Sequence, residues 1–303
     1  MMIAMIGATG TIGRHVLGRL LGRNTPVRAL VRDARRVPSL DSSLNSSPAL
    51  SASPSLDSSV HFIEGDAADE GALRRTFEGA EKLFLAMANG PEQKALELRA
   101  VAVAREVGIR HIVKVSAPVV GPDVPVAIAR MHFEIEQAIE RSAMGFSHLR
   151  PYGFMQNTLA LLPSIRATGT FFGAAGDAPL NRVDARDVAD VAVFALTKPE
   201  PEQRAYVVTG PEAMTHDDLA ERISALGRPV RYIDLGPDAY RAHLRRQPLP
   251  DWLVEHLVEI ELLARVYPEM PNDTVLRTTG HPPRTTEAFL RENAEAFLGP
   301  HEG

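Results

Sequence analysis

The strongest constraint in the sequence is local. An apolar run, MMIAMI, meets three glycines spaced G-x-x-G-x-x-G at Gly7, Gly10 and Gly13, and the chain continues into the apolar-periodic segment RHVLGRLLG. A strand that ends in a glycine turn and feeds a helix aims backbone N–H groups and the positive end of the helix dipole at one point, which suits a pyrophosphate. Residues without a Cβ at Gly7 and Gly10 let the backbone approach such a ligand, while Gly13 lets helix and strand pack closely. The loop residues Gly7, Thr9, Gly10, Thr11, Ile12 and Gly13 are therefore candidate dinucleotide contacts.

Through the first half of the chain, short β-rich apolar runs alternate with segments of helical period, the pattern of a parallel sheet covered by helices on both faces. Strands are expected at 2–6, 27–31, 60–64, 82–86, 111–115 and 146–149, with helices beginning near Thr11, Asp69, Pro91, Pro125 and Phe154. The expected fold class is α/β: a doubly wound parallel sheet of Rossmann type over 1–155, with a smaller mixed α/β C-terminal lobe over 156–303. Within that second part, about 180–210 is expected to return to the sheet, and the cleft between the two parts is the default binding site. A helix is expected near Asp184, a strand at YVVTG, and a helix capped by Thr215 with Asp218 completing an acidic capping box. A strand at VRYIDL and two or three helices complete the expectation. The Ser-rich stretch 39–59 interrupts the pattern and reads as a mobile surface insertion, or alternatively as a lid over the adenosine end.

Composition narrows the partners. With 303 residues and 45% hydrophobic content the chain can bury a sizeable core, and a net charge of −5 provides no basic field for a phosphate backbone, so no nucleic-acid partner is expected. The absence of Cys removes disulfides, thiolate nucleophiles and Cys-ligated zinc, in keeping with a cytoplasmic location. No apolar stretch reaches the roughly 18 residues of a spanning helix, so no membrane partner is expected. The ten histidines show no metal-ligand spacing, and no metal is expected. Asp184 and Asp187 read as helix-initiating carboxylates.

The end of the second strand discriminates between dinucleotides, because an acidic residue there binds the ribose 2′-OH whereas arginine accommodates a 2′-phosphate. The strand ends in VRALVRDARR, with Arg32 ahead of Asp33 and with Arg35 and Arg36 close behind. The surplus of positive charge favours NADP(H) over NAD(H), with Arg32 as the discriminating residue.

The sequence resembles the atypical short-chain dehydrogenase/reductases, and within them the NmrA-like group, which includes quinone, azo-dye and triphenylmethane reductases and antibiotic-pathway ketoreductases. The resemblance runs almost end to end, through GATGTIGRHV, EGD at 64–66, EIEQAIERSAMGFSHLRPYGFMQN, VDARDVADVA, YVVTGPEAMTHDDLAERISALGRPVRYIDL and RTTGHPPRTTEAFLRENAEAF. It implies that Asp66 binds the adenine amino edge with Ala67 stacked nearby. It also implies that Ala86, Met87 and Ala88 pass behind the ribose, that Ser116 is the active-site serine, and that Pro151, Tyr152 and Gly153 lie along the nicotinamide.

The departure from that superfamily is as informative as the match. Its typical members carry a Tyr-x-x-x-Lys pair in which the tyrosine protonates the carbonyl oxygen and the lysine lowers its pKa. Counted back from Arg150, the lysine position falls on His132 and the tyrosine position on Ile128, and no Tyr occurs before Tyr152. Hydride transfer stays possible, and the proton is left to His132, to Tyr152, or to substrate or water, with Ser116 beside them.

The expected function is thus NADPH-dependent reduction of a ketone, quinone or related conjugated small molecule without the usual catalytic pair, possible in a ketoreductase of secondary metabolism. The alternative is an NADP(H)-binding redox sensor acting through a protein partner. The expected assembly is a monomer or homodimer.

Overall fold

The structure, a computed structural model, describes residues 1–33 and 59–298. Arg35, Arg36 and the Ser-rich segment other than Ser59 lie outside the described residues.

Two strands, β1 (Ile3–Ile6) and β4 (Lys82–Leu85), are buried along their whole length. With β2 (Val27–Val31), β3 (Val60–Glu64), β5 (His111–Val115), β6 (Gly145–Pro151) and β10 (Gln203–Val208) they form a seven-stranded sheet ordered β10-β6-β5-β4-β1-β2-β3. The pairings from β3 through β6 are parallel; Met5, for example, lies opposite Ala29 on one side and Phe84 on the other. Strand order reverses at β1, so the crevice outside the carboxyl ends of β1 and β4 is the topological switch point, where open α/β sheets bind ligands. The glycine turn begins there.

The helices that cover the sheet start close to their sequence signals. α1 (Gly13–Leu21) begins two residues after the expected Thr11. α2 (Glu70–Phe77) is capped by Asp69, whose carboxylate accepts from Gly71 N. α3 (Gln93–Glu106) and α4 (Ala127–Glu140) follow. Leu73 and Phe77 of α2, Leu83 and Leu85 of β4, Ile112 of β5, and Ile135 and Ile139 of α4 share one core cluster. Each such side chain contributes about 1.5–3 kcal/mol through burial.

The chain divides into two compact units: 1–122 with 131–150 and 188–207, and 123–130 with 151–187 and 208–303. The second unit contains β7 (Gly153–Phe154), β9 (Leu180–Val183) and β11 (Ala213–Met214) in one small sheet, and β8 (Thr170–Gly173) parallel to β12 (Arg231–Asp234) in another. Its core gathers Met155, Ile165, Phe171, Leu219, Tyr232, Phe289 and Phe297. The expected capping box is present, with Thr215 accepting from Asp218 N and the Asp218 carboxylate accepting from Thr215 N.

Three local expectations are corrected. The helix expected near Phe154 begins as a 3-10 segment, Met155–Leu161, and becomes α-helical only at Leu162. The YVVTG strand starts earlier, at Gln203, and ends at Val208. The two or three helices expected after β12 are five short ones, Pro237–Leu244, Asp251–Ala264, Thr274–Thr279, Thr286–Glu292 and Ala294–Leu298. Prolines 250, 268 and 271 and the left-handed Gly280 (φ 80°) break that region into pieces.

Candidate active site

In the glycine turn each glycine answers a different demand. Gly7 has φ 87°, and a Cβ there would lie 1.9 Å from the Ala86 carbonyl oxygen. A Cβ on Gly13 would lie 1.9 Å from the Gly7 carbonyl oxygen, so this glycine sets the approach of α1 to the turn. Gly10 is open: a Cβ there meets only Gly7 O, at 3.3 Å, and nothing else within 4 Å. The positional demand at Gly7 is therefore packing against the chain after β4, and only Gly10 leaves room toward solvent. Thr9, Gly10 and Thr11 are exposed, and Ile12 caps α1 without a side-chain hydrogen bond; in the first turn Arg14 N donates to Gly10 O at 3.1 Å and His15 N to Ile12 O at 3.0 Å.

Around the turn, Arg32 is exposed directly after β2 and Asp33 is half-buried. Gly65 N donates to Val31 O at 3.0 Å, which brings the Asp66 turn alongside the end of β2. Asp66 is exposed and already structural in part, since its Oδ1 accepts from Ala68 N at 2.8 Å. Ala67 and Met87 are half-buried against the core cluster, Ala86 is half-buried, and Ala88 is exposed. Ala86 N donates to Ile6 O at 3.2 Å, which ties the chain after β4 to the end of β1.

A second constellation lies between β5, β6, α3 and α4 in the same unit. Ser116 is buried just after β5, with its N donating to Leu149 O at 2.7 Å and its Oγ without a hydrogen bond of ordinary geometry among the described residues. His132 on α4 is buried, and its Nδ1 lies 3.0 Å from Lys114 Nζ. Lys114 projects from the middle of β5; its side chain and that of Glu97 are both 0% exposed, with Nζ 2.7 Å from Glu97 Oε2. The ammonium also donates to Val115 O at 2.9 Å, and Gln93 Nε2 donates to Glu97 Oε1 at 2.8 Å.

One turn beyond His132, Glu136 forms a two-pronged pair with Arg150 of β6 (3.1 and 2.5 Å). Burial alone would raise the Glu136 carboxyl, but the Arg150 guanidinium, with smaller help from His148 and Ser116, holds it below its usual range. His148, opposite Lys114 in the β5–β6 register, is pushed down to about 4, chiefly because burial penalises its imidazolium. Glu136, Glu140 and His148 bring three ligand atoms within 4.8 Å of one another, but Arg150 already occupies both oxygens of Glu136.

Pro151, Tyr152 and Gly153 belong to the second unit. Tyr152 is half-buried, its N donates to Val208 O at 3.1 Å, and burial followed by the nearby Glu269 raises its hydroxyl. Glu269 is itself pushed up to about 7 by burial, although it accepts from Asn181 N at 2.6 Å. Asp184 and Asp187 are fully buried and engaged by arginines: Asp184 accepts from Arg186 at 2.6 Å, and Asp187 accepts from Arg284.

The structure therefore brings Ser116 and His132 to one polar seam and adds four residues that sequence reasoning missed: Glu97, Lys114, Glu136 and Arg150. The available signal was charge at core positions. Lys114 interrupts the buried strand HIVKV, and Glu136 follows His132 by four residues on the buried side of α4.

A doubly wound sheet with a glycine turn at its switch point defines a dinucleotide-binding α/β protein of the atypical short-chain dehydrogenase/reductase type. The chain belongs to the NmrA-like family, whose model matches residues 1–279. It is 38% identical over 298 residues to a (4-alkanoyl-5-oxo-2,5-dihydrofuran-3-yl)methyl phosphate reductase of Streptomyces griseus, covering 98% of this chain and 99% of that one. It is 34% identical to an NAD(P)H azoreductase of Xenophilus azovorans, with the same coverage of 98% and 99%. Among solved structures it superposes with a TM-score of 0.81 on an NADPH-dependent quinone oxidoreductase of Escherichia coli complexed with NADPH, at 24% identity, covering 96% and 99% of the two chains. Among the described residues no helix is long and apolar enough to cross a membrane.

Proposed function

We propose that this protein is an NADPH-dependent reductase that delivers hydride to a ketone, quinone or related conjugated small molecule without a Tyr/Lys catalytic pair. The observation that carries the reading is the coexistence, in one unit, of an open glycine turn at the switch point and a buried Ser116–His132–Lys114 seam. The open space beside Gly10 and the N-terminus of α1, whose dipole favours an anion, support a pyrophosphate at this turn. Arg32 is the residue assigned to the 2′-phosphate, and Asp66, Ala67 and the 86–88 segment to the adenosine half. When bound, the nicotinamide supplies the hydride. The chain's own residues orient the acceptor, exclude water and move the proton. The second unit serves as the substrate-binding lobe; burial and Glu269 raise the Tyr152 hydroxyl there, so the proton is left to the seam. The reductase names of the two curated relatives support the reaction class.

The test is NADPH oxidation with a panel of aromatic ketones, quinones, azo dyes and triarylmethane dyes, read beside thermal shifts with NADPH and NADH. Turnover with at least one acceptor class and a larger shift with NADPH are expected. Tight NADPH binding with no turnover across the panel would instead favour the redox-sensor reading. The exposed side chains of Val266, Tyr267, Met270 and Leu276 favour that second reading, because they give the second unit an apolar segment suited to a partner protein.

A further inference from the structure

We infer that Lys114 is the positioning residue for proton delivery: it fixes His132 as a neutral imidazole protonated on Nε2 and supplies the proton that this imidazole passes on. The inference rests on the reductase reading and adds to it a proton source.

A lysine ammonium has no lone pair, so at 3.0 Å from His132 Nδ1 it is the donor and Nδ1 the acceptor. An Nδ1 that accepts carries no proton, which places the single ring proton of the neutral imidazole on Nε2. Protonation of Nδ1 as well would set a cation against an ammonium in a region where both are buried. The remaining Nζ contacts, Glu97 Oε2 at 2.7 Å and Val115 O at 2.9 Å, keep Lys114 in place, and Gln93 braces Glu97 from the other side. The superfamily's lysine sits on the helix; here the helix position holds the histidine, and the lysine reaches it from β5.

The proton balance is closed. The acceptor gains a hydride at carbon from the dinucleotide, and its oxygen gains the proton on Nε2. As the Nε2–H bond breaks, Nδ1 takes a proton from Lys114 Nζ, so the imidazole stays neutral throughout and Lys114 becomes an amine held beside Glu97. After the product leaves, a proton from water returns through Nε2, and the Nδ1 proton passes back to Nζ. No imidazolium or imidazolate has to persist in the buried seam.

An acceptor whose reacting centre needs no proton separates this relay from hydride delivery itself. A quinone requires hydride and proton, whereas a cationic triarylmethane dye takes hydride directly at its carbenium carbon. Lys114→Arg preserves the charge and a donor toward Nδ1 but cannot release a proton. The expected result is a fall in the quinone-to-dye ratio of kcat on the order of 100-fold, the contribution of general acid help, with KM for quinone shifted less than about threefold. A ratio that does not move in the folded variant, judged by its NADPH thermal shift, overturns the proposal. A second measurement needs no variant: nitrogen-15 NMR of the wild-type protein, with His132 assigned by its loss in His132→Gln. A protonated Nε2 with a pyridine-like Nδ1 is expected; a protonated Nδ1 overturns the proposal. Wild-type protein that oxidises NADPH with no acceptor of the whole panel of ketones, quinones, azo dyes and triarylmethane dyes defeats the reductase reading, and the ring signature then judges the His132–Lys114 assignment separately.

Discussion

The glycine turn and the polar seam are built from opposite materials. The turn exposes backbone: Gly10 lies between two exposed threonines at a helix N-terminus without a side-chain cap, a surface whose charge comes from peptide dipoles. The seam buries side-chain charge: Glu97 and Lys114 are fully enclosed, and Glu136 is closed off by Arg150. Labour is divided between the two regions. A surface of backbone donors binds an anion with little reorganisation, whereas a buried network of alternating charges holds a proton at a chosen atom and resists solvent.

The largest expected effect comes from breaking the seam. Glu97→Ala leaves the Lys114 ammonium buried without its carboxylate and should cost about 3–5 kcal/mol of unfolding free energy. Denaturant titration checks this, and a loss below about 1 kcal/mol would mean that the pair is not enclosed as described.

Acid should attack the seam and spare the turn. His148 titrates near 6.5 when unfolded and near 4 when folded, so the unfolded state binds the proton more readily. Its contribution is complete above about pH 6.5, is lost as pH falls toward 4, and is constant below that. His148→Phe, which preserves the stack on Phe146, should flatten the fall in stability over that window by on the order of 3 kcal/mol. An unchanged slope between the two proteins would remove His148 from the account.

In the turn, Gly13→Ala forces a Cβ against the Gly7 carbonyl and should cost about 1–3 kcal/mol with loss of the NADPH thermal shift. Retained binding at full stability would show that α1 can move away without consequence. The smallest effect is the most selective. Arg32→Ala should weaken NADPH roughly tenfold, about 1.4 kcal/mol, with NADH binding little changed. Equal weakening of both cofactors would reassign Arg32 to general electrostatics.

How far these regions could be read from sequence follows from their materials. The turn was legible because Gly7, Gly10 and Gly13 interrupt an apolar strand at fixed spacing, and backbone demands of that kind fall on glycine alone. The order of the first six strands likewise follows from apolar runs alternating with helical periods. The seam was legible only in part. His132 emerged from counting along α4, but Lys114, Glu97 and Arg150 come from separate elements, and no local pattern records that β5 aims a lysine at a helix histidine. The short strands β8 and β9 were missed for a related reason: four-residue segments such as TFFG and LNRV owe their extended form to partners distant in sequence.

The central claim is that hydride passes from NADPH to a conjugated acceptor on this chain. NADPH deuterated at both C4 positions, incubated with the protein and the aromatic ketones and triarylmethane dyes of that panel, tests it directly by mass spectrometry of the reduced products. One deuterium at the carbinol or methine carbon is expected for each NADPH consumed. NADPH that binds without turnover of any acceptor, or a reduced ketone or dye that carries no deuterium, would contradict it.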